Sequence, residues 1–223
     1  MTAVPFQNTA IELPTFRAES SPGLGDIYMV PLNLGWHRSR ADFSAGYGFY
    51  APTGRYHFDA NDNLGLGMWS HEVSSGTTVY FDESKNWHAS TSAFFEIHTK
   101  KRDDDLRVGN ILTLEGGAGR SFLKGAGTAG VAYYAQWKVT NDSGSDFSTA
   151  LSATKNRVSG LGPELTLPFF AKGPWVGLVT FRYYWEVGAR AATEGRGLVF
   201  FLTLARLKRM MPVYYCKIVR SAV

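Results

Sequence analysis

The sequence predicts an all-β chain, an antiparallel up-and-down transmembrane β-barrel with about ten strands present and closure of the ring left open. Three observations predict it. The first is two-faced patterning at period two: over residues 40–51, Ala41, Phe43, Ala45, Tyr47, Phe49 and Ala51 share one face, while Arg40, Asp42, Ser44, Gly46, Gly48 and Tyr50 share the other. The second is length, because the patterned segments match the roughly 9 to 11 residues that a tilted strand needs to cross a bilayer. The third is the connectors, which alternate between short polar turns and longer loops rich in Gly, Asn, Asp and Ser, the arrangement of outer-membrane barrels.

Residues 1–22 are weakly patterned and break at Ser20-Ser21-Pro22-Gly23, so they read as a leader or the remnant of an earlier strand. The barrel domain is expected over 23–205. Its first strand, 24–37, ends at Arg38-Ser39; the second, 40–52, stops at Pro52-Thr53-Gly54, where proline withdraws a ladder donor and glycine tolerates positive φ. After the long connector Pro52 to Asn63 come strands 64–71 and 76–83, then the polar turn Asp82 to Lys85. In 86–98, Trp87, Ala89, Thr91, Ala93, Phe95 and Ile97 oppose His88, Ser90, Ser92, Phe94, Glu96 and His98. Lys100 to Leu106 and Gly119 to Gly127, both of middling length, flank strand 107–119, and strand 128–139 precedes the long loop Asn141 to Ala153. Strand 154–168 carries Leu161-Gly162-Pro163-Glu164, a glycine and proline that predict a bulge or bend. Past Lys172-Gly173-Pro174, strand 174–189 sets Trp175, Gly177, Val179, Phe181, Tyr183, Trp185, Val187 and Ala189 against a row holding Thr180, Arg182, Tyr184 and Glu186. The last strand is 197–205. The pattern then stops, and 206–223, with Arg206-Leu207-Lys208-Arg209 and Cys216, reads as a basic tail foreign to the fold.

Composition bounds the function. Fifteen Phe, eleven Tyr, six Trp and 24 Gly with only 19% charged residues suit strands facing an apolar medium. The mean hydropathy of −0.15 does not separate a barrel from a soluble protein, since each strand averages an apolar face with a polar one. The formal net charge is +4, but no basic stripe runs along any strand, so nucleic acid is not an expected partner. A single cysteine excludes an intramolecular disulfide framework. No apolar run is long enough for a transmembrane helix, and Glu12, Pro14, Arg17 and Glu19 stand where a signal peptide would be apolar, so the expectation is a chain whose export signal lies outside it.

Fragments that resemble catalytic motifs lack the rest of them. His71-Glu72-Val73-Ser74-Ser75 begins like a zinc-protease helix but has no second histidine and sits in a strand. Lys124-Gly125 reverses the order of a phosphate loop, Asp103-Asp104-Asp105 lacks the spaced ligands of a calcium loop, and Gly23-Leu24-Gly25 opens no helix. His37, His57, His71, His88 and His98 share no metal spacing, and no Gly-x-Ser-x-Gly occurs. The expectation is therefore no catalytic residue, no metal and no cofactor.

The candidate site is the polar row. Asp42, Glu96, Glu115, Glu164 and Glu186, set against Arg40, Lys138, Arg157 and Arg182, would line a wet lumen and filter by charge. Tyr50, Phe94, Tyr134 and Tyr184 would offer stacking surfaces to a ring, and Glu164 would pair with Arg157 or Arg182.

Several separated motifs carry a resemblance: Gly23-Leu24-Gly25-Asp26-Ile27, Leu34-Gly35-Trp36-His37, Tyr50-Ala51-Pro52-Thr53-Gly54-Arg55-Tyr56, Asn63-Leu64-Gly65 with Trp69, and Leu161-Gly162-Pro163-Glu164. In this order, over residues 23–204, the chain resembles the bacterial family of the phenol-degradation meta pathway, outer-membrane β-barrels associated with catabolism of aromatic compounds. The resemblance implies an outer-membrane transporter admitting small substrates by passive diffusion, aromatic ones among them, with outer-membrane lipid as its surroundings. The oligomeric state stays open. Three other readings are compatible with the residues: a soluble ligand-binding barrel or sandwich with the apolar rows inward, an outer-membrane enzyme, and a truncated barrel fragment.

Overall fold

The structure is a computed structural model that describes residues 2–7, 10–13, 16–19, 21–58, 60, 62–145, 155–172, 175–190 and 195–206. Its body is one ten-stranded sheet in which each strand pairs with its neighbour in sequence. The strands are β1 (Thr2–Ala3), β2 (Ile27–His37), β3 (Ala41–Ala51), β4 (Ser70–Tyr80), β5 (Trp87–His98), β6 (Ile111–Phe122), β7 (Gly127–Lys138), β8 (Arg157–Lys172), β9 (Trp175–Arg190) and β10 (Arg196–Arg206). All pairs are antiparallel. This is an all-β meander, and its end strands β1 and β10 are not hydrogen-bonded to each other. Among the described residues no helix is long and apolar enough to cross a membrane. The tail from 207 onward, including Cys216, lies outside the described residues.

The connectors sort by end more cleanly than the sequence suggests. β6 runs on to Phe122 and β7 starts at Gly127, so Gly119 to Gly127 is mostly ladder and the turn is only 123–126. Leu123 and Gly125 there take φ of 48° and 88°. Turns 38–40, 81–86 and 123–126 thus lie at one end of the sheet, while 52–58, 62–69, 99–110, 139–145 and 155–156 lie at the other. Asp82 shapes one short turn by accepting from the backbone N–H of Trp87 at 2.6 Å and of Asn86 at 3.1 Å.

Two expectations need correction. Segments 64–71 and 76–83 are not two strands: residues 70–80 form the single strand β4, and 64–69 belong to the preceding loop, where Leu64, Met68 and Tyr56 are buried. Leu161-Gly162-Pro163-Glu164 holds its ladder with β7, and the register shifts fall beside it, at Ser159/Gly160 and Pro168/Phe170. Within the weakly patterned start, Thr2–Ala3 joins β2, Phe6–Gln7 joins Gly23–Leu24, and Ala10–Leu13 pairs with Phe16–Glu19.

The two faces differ sharply. Registers carry one row around the sheet from Leu34, Phe43 and Val73 through Phe95, Leu114, Val131 and Leu161 to Trp185. Large apolar side chains on it are open, with Phe43 at 45%, Val73 at 56% and Leu202 at 65% exposure. A soluble fold would bury such a row against a second layer. No second layer covers it among the described residues, so the sandwich with apolar rows turned inward does not fit. Buried polar groups of these strands lie on the other row: Ser70, Glu72, His88, His98, Thr113, Ser121 and Thr128. Within hydrocarbon every backbone N–H and C=O needs a partner, and a continuous antiparallel ladder supplies them.

Candidate functional site

The polar row of β2 to β10 forms the candidate site. Because the side-chain period is two, the registers fix its members. Tyr28, Tyr50, Ser70 and His98 are successive cross-strand partners; so are Glu72, Glu96, Ile111 and Lys138; Ser92, Glu115, Tyr134 and Gly160 make a third series, and Gly130, Glu164, Arg182 and Val199 a fourth. Most of the polar residues expected from sequence are therefore on one face.

Two clusters occupy its middle. In the first, Tyr28 donates to Glu72 Oε1 at 2.5 Å and packs on Tyr50 with ring centroids 4.4 Å apart. Glu72 stands directly opposite Glu96, a like-charge pair that a sheet ordinarily avoids. Gly48 makes room for this packing, since a Cβ there would lie 2.7 Å from the Tyr28 hydroxyl. In the second cluster, Tyr134 donates to Glu186 Oε1 at 2.5 Å and meets Tyr184 edge-on at 5.1 Å. Arg182 Nε donates to Glu164 Oε2, and the Arg182 guanidinium lies 5.4 Å from the Phe201 ring centre. Gly160 is the matching gap, where a Cβ would come within 2.7 Å of the Tyr134 ring. Glu115 links the two, being within electrostatic reach of Glu72 and Tyr50 on one side and of Arg182 and Tyr184 on the other.

The remaining expected residues lie apart from this centre. Asp42 sits toward the short-turn end, accepting from the Tyr80 hydroxyl at 2.6 Å and lying 3.0 Å from His37 Nδ1. Phe94 faces the same side between Ser74 and Thr113. Lys138 pairs with Asp142 at 2.9 Å at the long-loop end. Arg40 is in the 38–40 turn, 3.6 Å from Glu83, and both are exposed. Arg157 is placed differently from its expectation: its register partners are Trp137 and Arg190, so it stands on the apolar row and cannot share a face with Glu164. The physical reason is parity, because the step from 157 to 164 is an odd number of positions in a strand of period two. Sequence reasoning missed Glu72 and Tyr28. Their signal was the even spacing from Ser70 and Tyr80 for Glu72, and the approach of Tyr28 to the glycine-bearing stretch Gly46-Tyr47-Gly48.

At the long-loop end the connectors knit together. Asp26, nearly buried, accepts from Gly54 N at 2.9 Å and Leu66 N at 2.7 Å, and Thr53 Oγ1 accepts from Ile27 N at 3.0 Å. The motifs around Gly25-Asp26, Thr53-Gly54 and Asn63-Leu64-Gly65 are thus one structural knot, with Gly54 and Gly65 in backbone contact. Asp105 joins the next two loops: it pairs with Lys100 and accepts from the Ser145 hydroxyl at 2.8 Å and amide at 3.2 Å. The Lys100 hydrogen bond, helped by those from Ser145, holds the Asp105 carboxyl down to about 2.

One pair resembles a catalytic dyad. Ser70 Oγ lies 2.7 Å from His98 Nδ1, but the two residues are 1% and 2% exposed, so no substrate reaches the hydroxyl. Among the described residues no cluster of three His, Cys, Asp or Glu is arranged to hold a metal ion.

Residues 1–202 match the family described as "Putative MetA-pathway of phenol degradation". No curated protein matches the sequence. Among solved structures, the chain is similar to an outer membrane channel from Pseudomonas putida F1, with a TM-score of 0.64 and 13% identity over 91% of this chain and 81% of that one. At that identity the likeness establishes the fold.

Proposed function

We propose, for a chain that belongs to the MetA-pathway phenol-degradation family, that it is an outer-membrane channel passing small substrates, aromatic ones among them, by passive diffusion. The observation that carries this reading is the inversion of the two faces, with large apolar side chains open to the outside while carboxylates, tyrosines and hydroxyls hydrogen-bond on the inside. Only a lipid-facing sheet around a water-filled interior makes both rows favourable at once. The fold shared with an outer membrane channel supports the same reading.

The inner row gives the channel its preference. Glu72, Glu96, Glu115 and Glu186 face the middle beyond the Glu164–Arg182 ion pair, and Lys138, the cation that ends the Glu72–Glu96–Ile111 series, is already paired with Asp142. A bore of this charge raises the local concentration of cations and repels anions. Neutral rings meet the tilted Tyr28–Tyr50 pair and the edge-on Tyr134–Tyr184 pair.

Planar-bilayer recording on the refolded full chain tests this. The expected result is stepwise conductance whose reversal potential under a potassium chloride gradient reports cation preference. Silent bilayers containing folded protein, or anion preference, would contradict it.

A further inference from the structure

On the outer row at the long-loop end, the sheet carries a basic patch confined to β8–β10. Arg157 and Arg190 are cross-strand partners, and Arg196 is paired with Trp185 on the same row. All three arginines are exposed, and among the described residues no carboxylate lies within salt-bridge distance of any of them. Two like charges placed directly opposite each other destabilise a sheet unless something of opposite charge sits between them.

The backbone is shaped to create this juxtaposition. Between Ser159 and Gly160 the β8–β9 register slips, so that Gly160 faces Glu186 while Ser159 faces Gly188. The extra residue, Val187, shifts the parity of residues 188–190, which brings Arg190 to the row of Arg157 and Trp137. Without the slip, Arg190 would point to the same side as Glu186. Beside Arg157 the surface opens into a cavity of about 210 Å³ lined by Trp137, Arg157, Val158, Ser159 and Gly188. Further along the same row lie Leu161, Trp185 and Leu198, all substantially exposed. On the neighbouring strands at this end the outer row carries Leu112, in register with Trp137 and Phe95, and Ile97, in register with His71.

We propose that this patch binds the phosphate groups of an anionic lipid in the leaflet at the long-loop side. The apolar part of the row takes the acyl chains, the Trp137 and Trp185 indoles mark the headgroup level, and the three guanidiniums bracket phosphate. Guanidinium forks match phosphate oxygens bidentately, which relieves the Arg157–Arg190 repulsion. The long loops of such barrels face outward from the cell, where the phosphorylated glycolipid lipid A is the abundant anionic headgroup. The inference rests on the membrane reading above, and its test separates the two, because folding into lipid is scored independently of lipid choice.

The full chain, refolded into zwitterionic nanodiscs and checked for heat-modifiable mobility, is titrated with bis-phosphorylated lipid A and with the same lipid stripped of its phosphates, retention being read by native mass spectrometry. Retention of the phosphorylated form at least tenfold above the stripped form is expected. An R157Q/R190Q/R196Q variant should lose that difference, an R157K/R190K/R196K variant should keep part of it, and Arg120→Gln, at the short-turn end, should keep it all. Equal retention of the two lipids by the unaltered chain overturns the proposal without reliance on any variant, and so does an unchanged preference in the folded glutamine variant. Failure to fold into nanodiscs at all would instead count against the membrane reading.

Discussion

In the proposed channel, individual side chains on the inner row set what the interior admits. Glu72 and Glu96 face each other across β4 and β5, and only Glu72 has a described hydrogen-bond donor, the Tyr28 hydroxyl. Replacing both by glutamine removes the negative charge of the pair while keeping volume. At low ionic strength, where the Debye length exceeds the bore, cation preference from reversal potentials should fall by about two- to threefold. An unchanged ratio would show that these carboxylates do not face the ion path. At the mouth, Asp105 makes a pH prediction with a definite sign. Its carboxyl is held down to about 2, below the ordinary aspartate value of about 3.9, so its tie between loops 99–110 and 139–145 is complete above that ordinary value and is lost as pH falls through about 2. Pepsin nicking of loop 99–110 should therefore rise as pH drops from about 4 to about 2, and Asp105→Asn should already be nicked faster at pH 4. Equal nicking of the two proteins at pH 4 would remove Asp105 from that role.

Among the elements, the knot around Asp26 has the largest expected effect on stability. Asp26→Ala leaves the amides of Gly54 and Leu66 without their acceptor and loosens the loop that buries Tyr56, Leu64 and Met68. The cost should be on the order of 2 to 4 kcal/mol in urea unfolding, with Asp26→Asn losing about half, since one oxygen remains. A loss under about 0.5 kcal/mol for the alanine variant would mean the loop is held elsewhere. Much of this scale was legible in the sequence. Strands 40–52, 86–98 and 128–139 lie within a residue or two of β3, β5 and β7, because aromatic and β-branched residues alternate there with small polar ones. β4 was not legible: Ser70, Ser74, Ser75 and Gly76 give it little β propensity, and only its two paired neighbours make it one strand. The bulge near Ser159 was also hidden, since its position depends on the partner strand, and that is why the rows of 174–189 change sides before Ala189. At the site, the row assignments of Glu96, Glu115, Tyr134, Arg182 and Glu186 came from parity alone. The links among them required cross-strand register, which sequence spacing does not contain.

For the whole molecule, the governing fact is that polarity is turned inside out relative to a soluble protein. The nine strands β2 to β10 make an odd set, so β2 and β10 run in the same direction, and an antiparallel neighbour common to both must run as Thr2–Ala3 already does against Tyr28 and Met29. Ladder continuity, apolar exposure and inward charge are then aspects of one solution to placing backbone in hydrocarbon. The most direct test is spin-label accessibility in lipid vesicles, with Cys216 replaced by serine and single cysteines at Phe43, Ser44, Val73 and Ser74 of the full chain. Labels at positions 43 and 73 should collide with oxygen dissolved in the acyl chains, and those at 44 and 74 with a water-soluble nickel chelate. Reversed preferences, or one shared preference at all four positions, would contradict a sheet with lipid on one face and water on the other.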